Sequence, residues 1–469
     1  MSEGGSGLIG HHVHFIGIGG YGMSGLAAIL LGMGHAVSGS DVHPSTRTDR
    51  LAALGATVHL EHSPAHLAGA DTVVYSTDVP EDNPELAAAR AAGLPVWHRS
   101  ELLAELLNAR QGVAVTGTHG KTTTTAMIGC ILERGGLDPT VVVGGEVPSF
   151  GGNARLGRGP HFVAEADESD GSFLRYRPRV AVVTNLEPEH LDHYGGDFRR
   201  VVAAVERFLE ALGPEGLAIL GRDDPRLAKL GGRAPCRVQS YGLSGRADWT
   251  ALRVRREGGE TVFVVRAGGA VRGEVRLRIP GRHNVHNALA ALAVGNALGV
   301  PFPVAAAALR EFPGAKRRFE VRAHAGGITV VDDYAHHPTE IRATLQAARE
   351  QEPGRLIAVF QPQRYVRTKL LFAEFSRAFA AADRVLVVDI YSPPGEVPIP
   401  GVNSQALAAA VAREGVAAEY AGSVSQVLQR LRQLVRPGDL VLTMGAGDVW
   451  KVAEELAATL GSEPTVGVG

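Results

Sequence analysis

A lysine and a run of threonines behind a glycine turn are the residues of this 469-residue chain with the most definite chemistry. The segment GVAVTGTHGKTTTTAMIG, residues 112–129, reads as a strand, a loop and a helix. In that setting backbone N–H groups cradle phosphates, Lys121 sits on β- and γ-phosphate oxygens, and the Thr122 hydroxyl faces a Mg2+ ion. The spacing departs from G-x-x-x-x-G-K-[ST]: Val115 stands where the first glycine belongs and Gly117 lies nearer, so the loop is a variant. A second loop, HVHFIGIGGYGMSGLA at 12–27, has no lysine. Its Gly17, Gly19 and Gly22 fit G-x-G-x-x-G, and Asp41 ends the next strand, where such folds place an acid. That loop grips a pyrophosphate and would suit any nucleotide diphosphate conjugate; taken alone it suggests a nicotinamide enzyme. One cradle holds the group that moves and the other a nucleotide whose phosphates do not react. This asymmetry separates a ligase from a dehydrogenase.

An ATP site calls for a divalent cation on oxygen ligands. EADESD follows an apolar strand and puts Glu165 first off it, with Asp167, Glu168 and Asp170 behind. The next strand ends in TNLEPEHLDH, which offers Asn185, Glu187, His190 and His193. Most of the 18 histidines read as plain surface residues, among them His11, His12, His14, His35, His43, His59, His62 and His66.

The elements that must position these groups form three α/β units. Residues 1–106 alternate strand and helix as a Rossmann-like parallel sheet. Residues 107–313 restart the alternation around the lysine loop, as an ATP-binding α/β domain. There DWTALRVRREGGETVFVVRAGG alternates polar and apolar residues around a Gly-Gly turn and predicts a small insertion of antiparallel hairpins. Residues 314–469 form a second Rossmann-like unit, with strands at ITVVDDY, RLIAVFQPQ, RVLVVDIYS and DLVLTMGAGD.

Composition narrows the function. Hydrophobic residues are 45% and charged residues 20%, as in chains with full cores. A net charge of −2 argues against nucleic-acid partners. Two cysteines, Cys130 and Cys236, far apart, give neither a disulfide framework nor a zinc pattern. No signal sequence or membrane-length apolar run is readable, so a soluble cytoplasmic protein is expected.

Taken together, GIGGYGMSGLA, GTHGKTTT, EADESD, NLEPEHLDHY, GRHNVHNALAA, KRRFE and DDYAHHPTEI resemble the Mur ligases of peptidoglycan synthesis, over nearly the whole chain. The front loop and DDYAHHPTEI set the chain apart from the later ligases of that pathway. The resemblance implies that Gly19, Gly20, Tyr21, Gly22, Met23, Asp41 and Ser76 bind the UDP part of UDP-N-acetylmuramate. It implies that ATP lies on Gly117, Thr118, His119, Gly120, Lys121, Thr122 and Thr123, with Asn284 and Asn287 toward the adenine and Arg318 closing. Thr122 and Glu165 would hold one Mg2+ or Mn2+ ion, and His190 a second. Arg317 or Arg318, Asp333, His336, His337, Arg364 and Arg367 would close on substrate and amino acid. Gln363 stands where the family usually has His. No lysine lies between Glu165 and His193, so the carbamylated lysine of some relatives is absent here.

The implied reaction is ATP-dependent amide formation between L-alanine and the lactyl carboxylate, through an acyl phosphate. Lys121, Glu165, His190 and His336 are the expected catalytic groups, with His190, His336 or His337 as the base. The expected assembly is a monomer or weak homodimer. Three rivals are a ligase that joins a whole wall-derived peptide to the same nucleotide sugar, a nicotinamide oxidoreductase, and a non-catalytic ATP-dependent switch.

Overall fold

The computed structural model describes residues 9–189, 191–392 and 396–462. It contains three sheets. The first is built from β1 (His12–Ile16), β2 (Ala36–Ser40), β3 (Thr57–His59), β4 (Thr72–Tyr75) and β5 (Val96–His98), in the order β3-β2-β1-β4-β5. All four pairings are parallel, as crossovers through helices require. Val13 and Phe15 of β1 face the helix Tyr21–Gly32, whose Leu26, Ala27 and Leu30 are buried against them. The opposite face carries Ile16 and Val73 under Leu86 and Ala89 of the helix Pro84–Ala91.

That second face overturns the expectation that the early histidines lie on the surface. Only His11 and His43 of that group are exposed; His12, His35, His59, His62 and His66 are half-buried and His14 is fully buried. Strand alternation puts His12 and His14 on the same side as Ile16. There Glu85, itself 0% exposed, supplies the partner that lets imidazoles enter a core.

The central sheet has ten strands: β6 (Gln111–Thr116), β7 (Thr140–Val147), β8 (Gly152–Arg155), β9 (His161–Glu165), β10 (Val180–Val183), β11 (Leu217–Gly221), β12 (Arg237–Gly242), β13 (Trp249–Glu257), β14 (Glu260–Ala267) and β15 (Ala270–Leu277). Their order is β15-β14-β13-β12-β11-β10-β6-β9-β7-β8. β6 lies between β9 and β10, parallel to both. The predicted insertion turns at Gly258-Gly259 and Gly268-Gly269, all four at positive φ, as tight hairpins need. It is no separate module, however: β13 pairs with β12 and carries the central sheet onward. Its outermost strand, β15, bears Arg272, Glu274 and Arg276, the last two joined by a 3.0 Å ion pair.

The third sheet consists of β16 (Glu320–Ala325), β17 (Ile328–Asp333), β18 (Arg355–Phe360), β19 (Arg384–Val388), β20 (Ala417–Gly422) and β21 (Asp439–Met444), ordered β16-β17-β21-β18-β19-β20. Only the β16–β17 pair is antiparallel. The chain divides into two compact units: one takes the residues up to Pro313 except 255–261 and 277–284, and the other takes those two segments together with Gly314 onward. Among the described residues no helix is long and apolar enough to cross a membrane.

Candidate active site

β6 delivers the lysine loop and the helix Lys121–Arg134 carries it away. Gly117 has φ +117°, and a Cβ there would lie 2.3 Å from Thr184 Oγ1 and 2.8 Å from the Asn185 carbonyl. Gly120 has φ +83° and opens the helix with no side-chain cap. The loop is sewn to the end of β10. Thr118 N donates to Asn185 O (3.0 Å), His119 N to Asn185 Oδ1 (2.9 Å), Thr184 Oγ1 to His119 O (2.7 Å) and Glu187 N to Thr118 Oγ1 (2.8 Å). Asn185 and Glu187, read from sequence as metal candidates, thus shape the cradle. His119 Nε2 lies 3.4 Å from Glu187 Oε2. Thr123 is buried in the first helical turn.

Lys121 Nζ donates to Gly117 O (2.8 Å), Thr118 O (3.3 Å) and both Glu168 oxygens (3.1 and 3.0 Å). Burial opposes the charge on this amine, but the carboxylates of Glu168, Asp167 and Glu165 outweigh it and hold the ammonium protonated well above the ordinary lysine range. Glu168 is 3% exposed, and its carbonyl takes the Tyr194 hydroxyl at 2.5 Å. Sequence placed Glu168 among the acids but gave no sign that it turns back onto the lysine.

Glu165 ends β9 directly beside Val115 of β6. Its Oε1 accepts from Gly144 N at 2.6 Å, and a Cβ on Gly145 would come 3.2 Å from Thr122 Cγ2. Thr122 and Glu165 therefore approach the same Gly144-Gly145 stretch of β7. A hydroxyl-bearing and a carboxylate-bearing residue approaching one stretch beside a phosphate cradle are the donor types a divalent cation takes, although it is the Thr122 methyl that lies nearest Gly145. His190 lies outside the described residues. Asn287 faces the cradle, since a Cβ on Gly120 would meet its Oδ1 at 2.6 Å. Asn284, one turn earlier in the helix Arg282–Ala297, donates instead to Pro280 O at 2.7 Å.

The lysine-free loop leaves β1 through Gly17 (φ +77°). Gly17 N and Ile18 N both donate to Ser40 O, at 2.8 and 3.0 Å. Gly19 N donates to Asp41 Oδ2 at 2.9 Å, so the acid at the end of β2 holds the loop itself. Arg47 Nε reaches Gly19 O (2.6 Å), and its guanidinium lies 4.1 Å over the Tyr21 ring. Gly20 starts the following helix, and a Cβ on Gly22 would sit 3.2 Å from Arg99 Nη1. The Met23 side chain is buried in the core, so only its backbone can face a ligand. Ser76 follows β4, and its carbonyl closes a turn by accepting Val79 N. Arg47 and Arg99 were not among the sequence candidates; nothing in their local spacing marks them.

In the second unit, Arg317 and Phe319 both hold positive φ, +58° and +51°, a strain that such sites store. Arg317 is committed inward: Nε to Asp332 Oδ2 (2.9 Å), Nη2 to Gly445 O (2.6 Å) and Nη1 to Gly447 O (3.2 Å). Arg318 lies over the Tyr334 ring at 5.1 Å. Asp333 is buried and accepts Phe319 N (2.7 Å) and Ala335 N (2.8 Å). Burial pushes its carboxyl up to about 6, against the pull of the Arg318 guanidinium and those amides.

His336 Nδ1 lies 3.0 Å from Tyr334 O and 3.4 Å from Glu340 Oε2, so that nitrogen carries a proton. His337 caps the helix Pro338–Arg349 by accepting Thr339 N on Nδ1, so its Nε2 carries the proton. Arg364 has φ +65° and donates its amide to Tyr391 O. Arg367 Nη1 donates to Gln363 Oε1 at 2.8 Å, which gives the Gln363 departure a local role.

Three family models match the chain: the Mur ligase family catalytic domain at 12–111, the Mur ligase middle domain at 115–295 and the Mur ligase glutamate ligase domain at 317–447. UDP-N-acetylmuramate–L-alanine ligase of Symbiobacterium thermophilum is 55% identical to it, across 96% of this chain and 95% of that one. The enzyme of the same name from Pelotomaculum thermopropionicum is 48% identical, across 97% and 99%. Among solved structures, UDP-N-acetylmuramate-alanine ligase MurC from Thermotoga maritima superposes with a TM-score of 0.83 at 31% identity, over 96% and 99%. A murein peptide ligase from Psychrobacter arcticus gives 0.70 at 26%, over 97% and 100%.

Proposed function

This chain belongs to the Mur ligase family, and on that premise we infer that it joins L-alanine to the lactyl carboxylate of UDP-N-acetylmuramate, converting ATP to ADP and phosphate, in the cytoplasmic supply of peptidoglycan precursor. The observation that carries the reading is the pair of glycine loops in one compact unit, only one of which bears a lysine. The relatives named for L-alanine reach 55% identity over nearly the whole chain, and the alanine ligase structure superposes with a TM-score of 0.83 against 0.70 and 0.60 for two peptide ligases, which favours the single amino acid over a whole peptide.

A carboxylate resists attack by an amine, because its charge repels the nucleophile and it offers no leaving group. Transfer of the γ-phosphoryl group to the lactyl oxygen makes an acyl phosphate; the amine of alanine then attacks, and phosphate departs. Lys121 places and neutralises the moving group, and the first amides of the helix Lys121–Arg134, which no side chain caps, hold its neighbours. A Mg2+ ion on Thr122 and Glu165 would supply further neutralisation of phosphate charge. The amine must shed a proton, and His336, whose Nδ1 is held by Tyr334 O and Glu340 so that only Nε2 can take one, is the base. With Arg317 committed inward, Arg318 is the anion contact of that pair, and Arg364 and Arg367 serve the amino-acid side.

Phosphate release with ATP, UDP-N-acetylmuramate and L-alanine, each omitted in turn, tests this function. All three are expected to be required. Release with the tripeptide but not with L-alanine would move the chain to the peptide ligases.

A further inference from the structure

We infer that Glu85 is a positioning residue for the lysine-free glycine loop, acting through Ser40 and Asp41. The inference rests on that loop being the nucleotide-sugar site. Glu85 stands in the first turn of the helix Pro84–Ala91, whose first amides are capped by Asn83 Oδ1. Its Oε2 accepts the Ser40 hydroxyl and faces His62 Nδ1 at 3.0 Å. Its Oε1 accepts Ser63 N (3.3 Å) and faces His66 Nδ1 (3.0 Å), with His14 Nε2 at 3.5 Å. An ionised carboxylate only accepts, so the Nδ1 atoms of His62 and His66 carry the protons, while His14 Nε2 stands close by without a hydrogen bond.

The chain of partners runs on. His14 Nδ1 lies 2.9 Å from Ser38 Oγ, and Ser38 Oγ lies 2.8 Å from His12 Nε2. His59 stacks on His66 with ring centroids 3.7 Å apart. No three of these side chains bring ligand atoms within 4.8 Å of one another, so they share protons rather than gather a cation.

The network lies directly behind the loop. Ser40, whose hydroxyl is bound to Glu85, is the residue whose carbonyl takes both Gly17 N and Ile18 N. The next residue, Asp41, takes Gly19 N on its side chain and gives its own amide to the carbonyl of His59. Two loop amides therefore reach the buried carboxylate through Ser40, and a third is held by Asp41, the residue next to it. Stability alone does not ask for a charge there. The neighbouring positions on this face, Ile16, Val73, Leu86 and Ala89, are apolar, and a well-packed apolar group commonly matches or betters a buried ion in stability.

Calorimetric binding of UDP-N-acetylmuramate and of a non-hydrolysable ATP analogue to wild type, Glu85→Gln and Ser40→Ala, with steady-state kinetics, tests this. Both variants are expected to bind the nucleotide sugar roughly 5- to 20-fold more weakly and to raise its KM alike. The ATP analogue should bind unchanged, and kcat at saturation should stay within about twofold. Ser40→Ala removes one hydroxyl and decides the matter if Glu85→Gln does not fold. Unchanged sugar binding in a folded variant, or equal loss of sugar and ATP analogue, overturns the inference. Wild type that binds no nucleotide sugar overturns the reading of the loop instead.

Discussion

Lys121 stands between two carbonyls of its own loop and the Glu168 carboxylate, so its removal has two separable consequences. Lys121→Ala is expected to lower phosphate release by at least roughly 100-fold, the scale of losing a donor aimed at developing charge. It also strands Glu168 as a buried carboxylate, at a stability loss of about 3 kcal/mol. Lys121→Ala/Glu168→Gln should recover most of the urea midpoint and none of the activity. Recovered activity would show that the lysine only neutralises Glu168. The placement of Lys121 and Thr122 at the cradle was legible because loop chemistry fixes their spacing along the chain, and that of Glu165 because it is the first acid off an apolar strand. Glu168 as the lysine's partner was not, since spacing says which acids are near and not which one turns back. The buried histidines were misread for a related reason: each alone looks like surface, and the carboxylate that explains them is distant in sequence.

The cradle is an element-scale device, made of one glycine and the strand end it touches. Gly117→Ala meets both positive φ and a backbone oxygen that cannot yield. It is expected to raise the KM for ATP more than tenfold and lower the melting temperature. Gly245→Ala, also at positive φ (+73°) but with nothing within 4 Å, should cost only the strain, about 1–2 kcal/mol, and leave that KM unchanged. Equal KM values in the two variants would show that backbone strain, rather than the Thr184–Asn185 contact, governs the loop. Strand and helix identity near the loops was legible because periods of 2 and 3.6 are local. The turn at Gly258-Gly259 was legible as well. That β13 pairs with β12 was not, because strand pairing is decided by partners remote in sequence.

Two buried carboxylates shape stability across the whole molecule in opposite senses. Burial alone would raise Glu85, but His14, Ser40 and His62 bring it down to about 2 from an ordinary 4.5. Its contribution, about 3 kcal/mol, is present above pH 4.5 and lost as pH falls toward 2. Asp333, raised from 3.8 to about 6, works the other way: its contribution is present below 3.8 and lost as pH rises through 6. Urea unfolding of Asp333→Asn should therefore lose the wild-type decline between about pH 4 and 6, a change of up to about 3 kcal/mol. An unaltered profile would place the titration elsewhere.

The rim of the ten-stranded sheet acts at the same scale. A bare outer strand invites any extended chain to zip onto it, and the wider the sheet, the flatter and more inviting that rim. With Arg272, Glu274 and Arg276 along β15, a newcomer must first strip the water from charges of both signs. The charged rim of β15 therefore resists the addition of another strand.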